Sequence, residues 1–177
     1  MIELSKYIFL SRPRRFGKSL LVTTLRAYFE GKRELFEGMK IMEIEKEWTA
    51  YPVIRLDLSL AKARNSSEEL RNALTLTLEP YEELYGKSKS EIMPGERLKG
   101  VIKRAYEQTG KQVVLLVDEY DAPMLDVVDE DEKLDDFRQV MQEFYMPLKA
   151  SEDYIKFCFI TGITKFSQLS IFSTINN

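Results

Sequence analysis

The chain has 177 residues and a formal net charge of −3, with 44% hydrophobic and 31% charged residues, one Cys and no His. Without imidazole there is no Ser-His-Asp or Cys-His nucleophile system, and one thiolate cannot build a Cys/His zinc site or an internal disulfide. The slight acidity offers no global field for nucleic acid, so chemistry falls to Asp, Glu, Lys, Arg, hydroxyls and backbone groups, with a hard ion such as Mg²⁺.

In chain order, Tyr7-Ile8-Phe9-Leu10 is a short β-prone run that stops at Ser11-Arg12-Pro13. After Gly17-Lys18-Ser19, residues Leu20, Leu21, Thr24, Leu25, Tyr28 and Phe29 recur at helical spacing, and Gly31 supplies a stop. Tyr51 to Leu58 reads as a second strand with Pro52 at its start, where a missing N–H is tolerated. Asn65-Ser66-Ser67-Glu68 opens a helix, and Leu70, Ala73, Leu74, Thr77 and Leu78 continue it. A further helix from about Gly95 to Gln108 aligns Leu98, Val101, Ile102, Ala105 and Tyr106, and Thr109-Gly110 breaks it. Val113 to Val117 is an unbroken apolar run, the pattern of a strand buried on both faces of a parallel sheet. Leu134, Phe137, Val140, Met141, Phe144, Tyr145 and Leu148 mark an amphipathic helix ending near Pro147, and Ile155 to Ile160 is a fourth strand.

The order βαβ(αα)βαβ predicts a three-layer α/β fold around a mainly parallel sheet. No internal repeat or low-complexity segment interrupts it. The two ends are abrupt, and the last residues close no element, so the chain reads as the larger part of one domain within a longer protein. No stretch approaches the roughly 20 apolar residues that cross a bilayer. No leader is visible, and the expected location is the cytoplasm, away from membranes.

The strongest local signal is Ser11-Arg12-Pro13-Arg14-Arg15-Phe16-Gly17-Lys18-Ser19 between a strand and a helix. A phosphate-binding loop needs a strand that aims the chain, N–H groups curled around an anion, and a helix N-terminus behind them. Lys18 would reach the phosphates and the Ser19 hydroxyl would bind Mg²⁺, with Gly17 allowing close approach. Arg14, Arg15, Phe16, Gly17, Lys18, Ser19 and Leu20 form the expected cofactor-binding stretch. The usual pattern places Gly five residues before Gly17, and this chain has Arg12 there. The alternative is a solvent-exposed turn.

The second signal is Asp118-Glu119 directly after the buried strand. At the carboxyl edge of such a sheet Asp118 would hold Mg²⁺ through water and Glu119 would polarise the attacking water. The alternative is a strand that merely ends in polar residues. The third is Thr161, at the tip of the fourth strand, as a sensor of the γ-phosphate, with Thr164 behind it; a polar exit loop would look the same.

The strings SRPRRFGKS, YPVIRLDLS, VVLLVDEYDAP and FITGITKFSQLSIFSTINN together resemble the predicted AAA-ATPase-like family, over nearly the whole chain from about Tyr7. The resemblance implies an ATP-binding domain of the P-loop type, with the fourth strand between the first and third. It makes Lys18 and Ser19 the Walker A ligands of phosphate and Mg²⁺, Asp118 the Walker B acid and Glu119 the water-activating acid. Asp121 belongs to the same string without an assigned role. Members often carry a nuclease-superfamily region, so a fused or associated nuclease-like partner and self-association are implied too. The leading expectation is slow ATP hydrolysis that switches the shape of a larger protein. The alternatives are a module that holds nucleotide or a protein partner without turnover and, behind it, a small-molecule kinase.

Other features carry bland readings. Asp126, Asp129, Glu130, Asp131, Glu132, Asp135 and Asp136 precede and open a helix, where negative charge complements the dipole. Asp57 reads as a partner of Arg55 or a backbone cap. Arg12, Arg14, Arg15, Lys32 and Arg33 would serve nucleic acid, although the first three are better explained by nucleotide phosphates. Cys158 reads as an inert buried thiol.

Overall fold

The computed structural model describes residues 5–61, 63 and 65–164. The last 13 of the 19 residues of the string FITGITKFSQLSIFSTINN, 165–177, lie outside them.

Four short strands and seven α-helices are laid down in the order β1 (Tyr7–Ser11), α1 (Lys18–Phe29), α2 (Ile41–Ile44), β2 (Val53–Asp57), α3 (Ser67–Tyr85), α4 (Pro94–Thr109), β3 (Val113–Asp118), α5 (Ala122–Leu125), α6 (Asp131–Tyr145), α7 (Pro147–Ala150) and β4 (Ile155–Gly162) among the described residues. The strands form one parallel sheet in the order β1-β4-β3-β2. β4 therefore lies between β1 and β3, the order that the family resemblance implies. The two interior strands carry the apolar runs: all six residues of β3 are buried, as are all of β4 except Lys156.

Alternation along the strands sorts the core into two clusters. Val114 and Leu116 of β3 and Phe157 and Phe159 of β4 face Val22 and Phe29 of α1. Val113, Leu115, Val117, Cys158 and Ile160 face the other way, into a cluster with α3, α4 and α6. Burying about 1.5–3 kcal/mol per large apolar side chain on both faces is what holds helices against the sheet.

Boundaries follow local chemistry. Helix α1 ends where Gly31 takes φ 72°, with its N–H on Tyr28 O and that of Lys32 on Ala27 O at 3.0 Å each, a Schellman closure. Helix α3 starts where the Ser66 hydroxyl accepts from the Glu69 N–H at 3.2 Å. The helix expected to end near Pro147 stops at Tyr145, because Pro147 cannot continue the ladder, and Pro147 instead opens the short α7. The second strand is shorter than the sequence suggests, and the fourth extends through Thr161 and Gly162. Strand β2 is a sheet edge, and Tyr81 closes part of it: its hydroxyl accepts from Arg55 N–H and donates to Arg55 C=O, both at 2.7 Å. No described helix is long and apolar enough to cross a membrane.

Candidate functional site

The strand tips, the β1–α1 loop and the start of α1 converge at the carboxyl edge of the sheet. Parallel register sets them side by side: Ser11 pairs with Gly162, Leu10 with Thr161, and Asp57 with Asp118.

Arg12 still belongs to the ladder, donating its N–H to Gly162 O at 3.1 Å. The reversal comes later, at Arg15 (φ 66°) and Gly17 (φ 74°), so the loop does not need a glycine at position 12 to turn. Left-handed residues among right-handed ones aim successive N–H groups into one concavity. Lys18 opens α1 and is only 5% exposed. Its ammonium folds back onto the loop, donating to Arg12 O at 2.9 Å and Pro13 O at 3.1 Å. No carboxylate pairs with it among the described residues, and two acceptors leave one of its three donors unspent. A buried cation with no carboxylate in ion-pair contact among the described residues, held at a helix N-terminus by its own loop, fits an arriving oxyanion. Ser19, Arg14 and Arg15 are exposed beside it, and Phe16 and Leu20 turn their side chains to solvent. Those last two could offer only backbone groups.

Across the edge, Asp118 is buried at the tip of β3. One carboxylate oxygen, Oδ1, accepts from the Thr161 hydroxyl at 2.6 Å, and that hydroxyl accepts from Glu119 N–H at 3.3 Å. Thr161 is fully buried, so its hydroxyl is committed to orienting Asp118. The next residues continue the stitching. Tyr120 donates its N–H to Thr161 O and its hydroxyl to Thr164 O, both at 2.9 Å. Asp121 Oδ2 accepts from Ile163 N–H at 2.8 Å and from Thr164 N–H and hydroxyl at 2.7 Å each. Gly162 permits this approach: an added Cβ would sit 2.3 Å from the Tyr120 ring and 2.9 Å from Asp121 Oδ1.

Glu119 takes a left-handed backbone, φ 52°, which throws its side chain off the strand line. Its carboxyl is pushed above the ordinary value, first by burial and then by the charges of Asp118 and Asp57, against the pull of Lys18 and Arg14. With Arg14, Ser59, Asp121, Asp126 and Ile163 it lines a cavity of about 210 Å³. That volume admits a phosphate-sized group and water, less than a whole nucleotide needs.

Asp57 is both a cap and an ion partner. Its Oδ1 accepts from Ser59 N–H and hydroxyl, and its Oδ2 lies 3.6 Å from Arg55 Nη2. Of the acids from Asp126 to Asp136, Asp131 and Glu132 lie in the first turn of α6, Glu130 pairs with Lys133 and Asp135 with Arg138, while Asp126 lines the cavity. No group of three metal-binding side chains occurs among the described residues. Ser19 and Asp118 are the protein oxygens at this edge that could hold an ion whose remaining shell came from phosphate and water.

The family model for the predicted AAA-ATPases matches residues 1–172. The chain belongs to the predicted AAA-ATPase family. A curated relative of this AAA-ATPase-like chain, from Azotobacter chroococcum mcd 1, is described as an uncharacterized protein in the vnfD 5' region. It is 34% identical over 178 residues, covering all of this chain and 34% of its own length. The AAA-ATPase-like chain thus spans about a third of the curated relative it matches. No solved structure matches it. The loop, Lys18, Asp118, Glu119 and Thr161 are brought to one edge. The clamp of Asp121 on the β4 exit and the reach of Arg55 toward Asp118 were not legible in the sequence, since both depend on pairing across the sheet.

Proposed function

We propose that this chain is a three-layer P-loop NTPase module, one domain over residues 1–177, that binds ATP with Mg²⁺ and hydrolyses it slowly to switch a larger protein. The observation that carries the reading is Lys18, buried at the head of α1, without a carboxylate in ion-pair contact among the described residues and resting on the carbonyls of Arg12 and Pro13. Bound Mg²⁺ would offset charge on the phosphates. Lys18 would exchange loop carbonyls for phosphate oxygens, and Ser19 and Asp118 would hold the ion. Thr161 would keep Asp118 in place. Glu119, its carboxyl raised above its ordinary value by burial and neighbouring carboxylates, would orient water and take up its proton. The stitching of 118–121 to 161–164 gives any movement of Asp118 or Glu119 a direct route into the chain that leaves β4. A nuclease-like partner region and self-association belong to this proposal as well, as does a cytoplasmic setting.

Calorimetric titration with ATP, with and without Mg²⁺, tests it. Wild type binds, Lys18→Ala loses at least about tenfold in affinity, and Glu119→Gln binds but turns over slowly. Equal binding by wild type and Lys18→Ala would refute the phosphate loop. Unchanged hydrolysis in Glu119→Gln would leave that carboxylate without its role.

A further inference from the structure

The alternation that puts Val53 of β2 against α1 puts Arg55 and Asp57 on the same sheet face, as it does Val114, Leu116 and Asp118 of β3. Arg55 pairs in register with Leu116, so a guanidinium occupies a row that is otherwise apolar toward the middle of the sheet. It is poorly satisfied there. Nη2 lies 3.6 Å from Asp57 Oδ2 and 3.9 Å from Asp118 Oδ2, ion-pair distances rather than hydrogen bonds. Arg55 Nε is buried with no acceptor among the described residues. Asp118 mirrors this arrangement. Its Oδ1 is locked by Thr161, whereas Oδ2 receives no hydrogen bond from a described residue and has the guanidinium as its one ion-pair partner among them. Asp57 and Asp118 are directly opposed in register, where two like charges repel unless a cation sits between them.

We propose that Arg55 is a positioning residue that acts through Asp118: its guanidinium stands in for a divalent cation in the nucleotide-free protein and yields Asp118 Oδ2 when metal enters with nucleotide. Loose Coulombic contact serves this exchange better than a bidentate bond, since no hydrogen bond must break. The consequence is that metal and nucleotide bind together. Without Arg55, Asp57 and Asp118 would draw a cation on their own. The inference rests on the nucleotide reading of this site.

The test titrates Mn²⁺ alone, followed by its paramagnetic signal, and ATP with and without Mg²⁺ by calorimetry. Wild type takes up no Mn²⁺ at millimolar concentration without nucleotide. Arg55→Met and Arg55→Gln bind Mn²⁺ at least about tenfold more tightly than wild type. Arg55→Lys, which keeps a cation, behaves as wild type, and Arg55→Met with Asp118→Asn loses the new affinity. The preference for ATP with Mg²⁺ over ATP in chelator rises in Arg55→Met by a similar factor. A merely structural arginine would lower the melting temperature and leave both metal readouts unmoved, which overturns the proposal. So does a loss of Mg·ATP affinity in Arg55→Met, which would mean direct contact with phosphate. Submillimolar Mn²⁺ binding by wild type alone also overturns it, even if no variant folds. If wild type binds no ATP while Arg55→Met still gains Mn²⁺, the nucleotide reading fails and the charge-balancing role stands.

Discussion

Glu119 and Asp118 are neighbours in sequence and opposites in environment. Asp118 is fixed by a hydroxyl and faced by a guanidinium. Glu119 has only its N–H tied down, and its carboxyl is raised by burial and by two nearby carboxylates. A raised carboxyl makes ionisation unfavourable for folding: between the unfolded and folded values the unfolded chain holds fewer protons, so stability falls as pH rises through that window. Glu119→Gln is therefore expected to melt higher than wild type at pH 7.5, with the difference vanishing near pH 4. Parallel thermal melts of the two proteins check the sign. A variant that is less stable at neutral pH would show that Glu119 makes a stabilising contact instead.

Among the elements, α3 and α4 are joined by the buried pair Glu82–Arg97, where Arg97 Nε donates to Glu82 Oε1 at 2.6 Å and a second N–H reaches Oε2. Both residues are under 9% exposed, and Arg97 holds the Glu82 carboxyl below its ordinary value. Removing Arg97 leaves the Glu82 carboxylate with only the half-exposed Lys87, 3.8 Å away, among the described residues. Arg97→Met is expected to cost about 3–5 kcal/mol in urea denaturation, with most of it recovered in Glu82→Met with Arg97→Met. The sign with pH is opposite to that of Glu119. This pair contributes fully above the unfolded carboxyl value and loses its contribution as pH falls through the lowered folded one. The gain from the double variant should survive at pH 7; if it does not, the pair supplies specific geometry that methionines cannot.

At the scale of the molecule, the interior of the sheet is where the lone thiol lies. Cys158 sits in β4 between β1 and β3, and burial pushes its thiol up to about 12. A thiol in that state attacks slowly, and a strand held on both sides must open before reagent enters. Labelling by an aromatic disulfide is expected to follow global unfolding, with a rate that rises with denaturant as the folded fraction falls. Fast stoichiometric labelling under native conditions would mean that β1 detaches locally, exposing the site edge.

Much of this architecture was legible before any fold was in hand, because its causes are local. An unbroken apolar run followed by Asp118-Glu119 announces an interior strand and its tip. Gly31, Ser66, Thr109-Gly110 and the motif around Lys18 mark element ends by their own backbone preferences and hydrogen-bonding groups. Pro147 was legible as an end to a helix but not as the start of another. What no local rule could supply is who stands beside whom. Strand order sets Thr161 against Asp118, Asp57 against Asp118, and Arg55 against both carboxylates. The partners in those contacts lie 43 to 63 residues apart where they bridge strands, and parallel pairing, not propensity, joins them. The sequence by itself determined the composition of the site: no imidazole, a lysine and a hydroxyl at a helix start, two acids at a strand tip. The tertiary structure alone decided its charge balance, because electrostatic neighbours are set by register across the sheet.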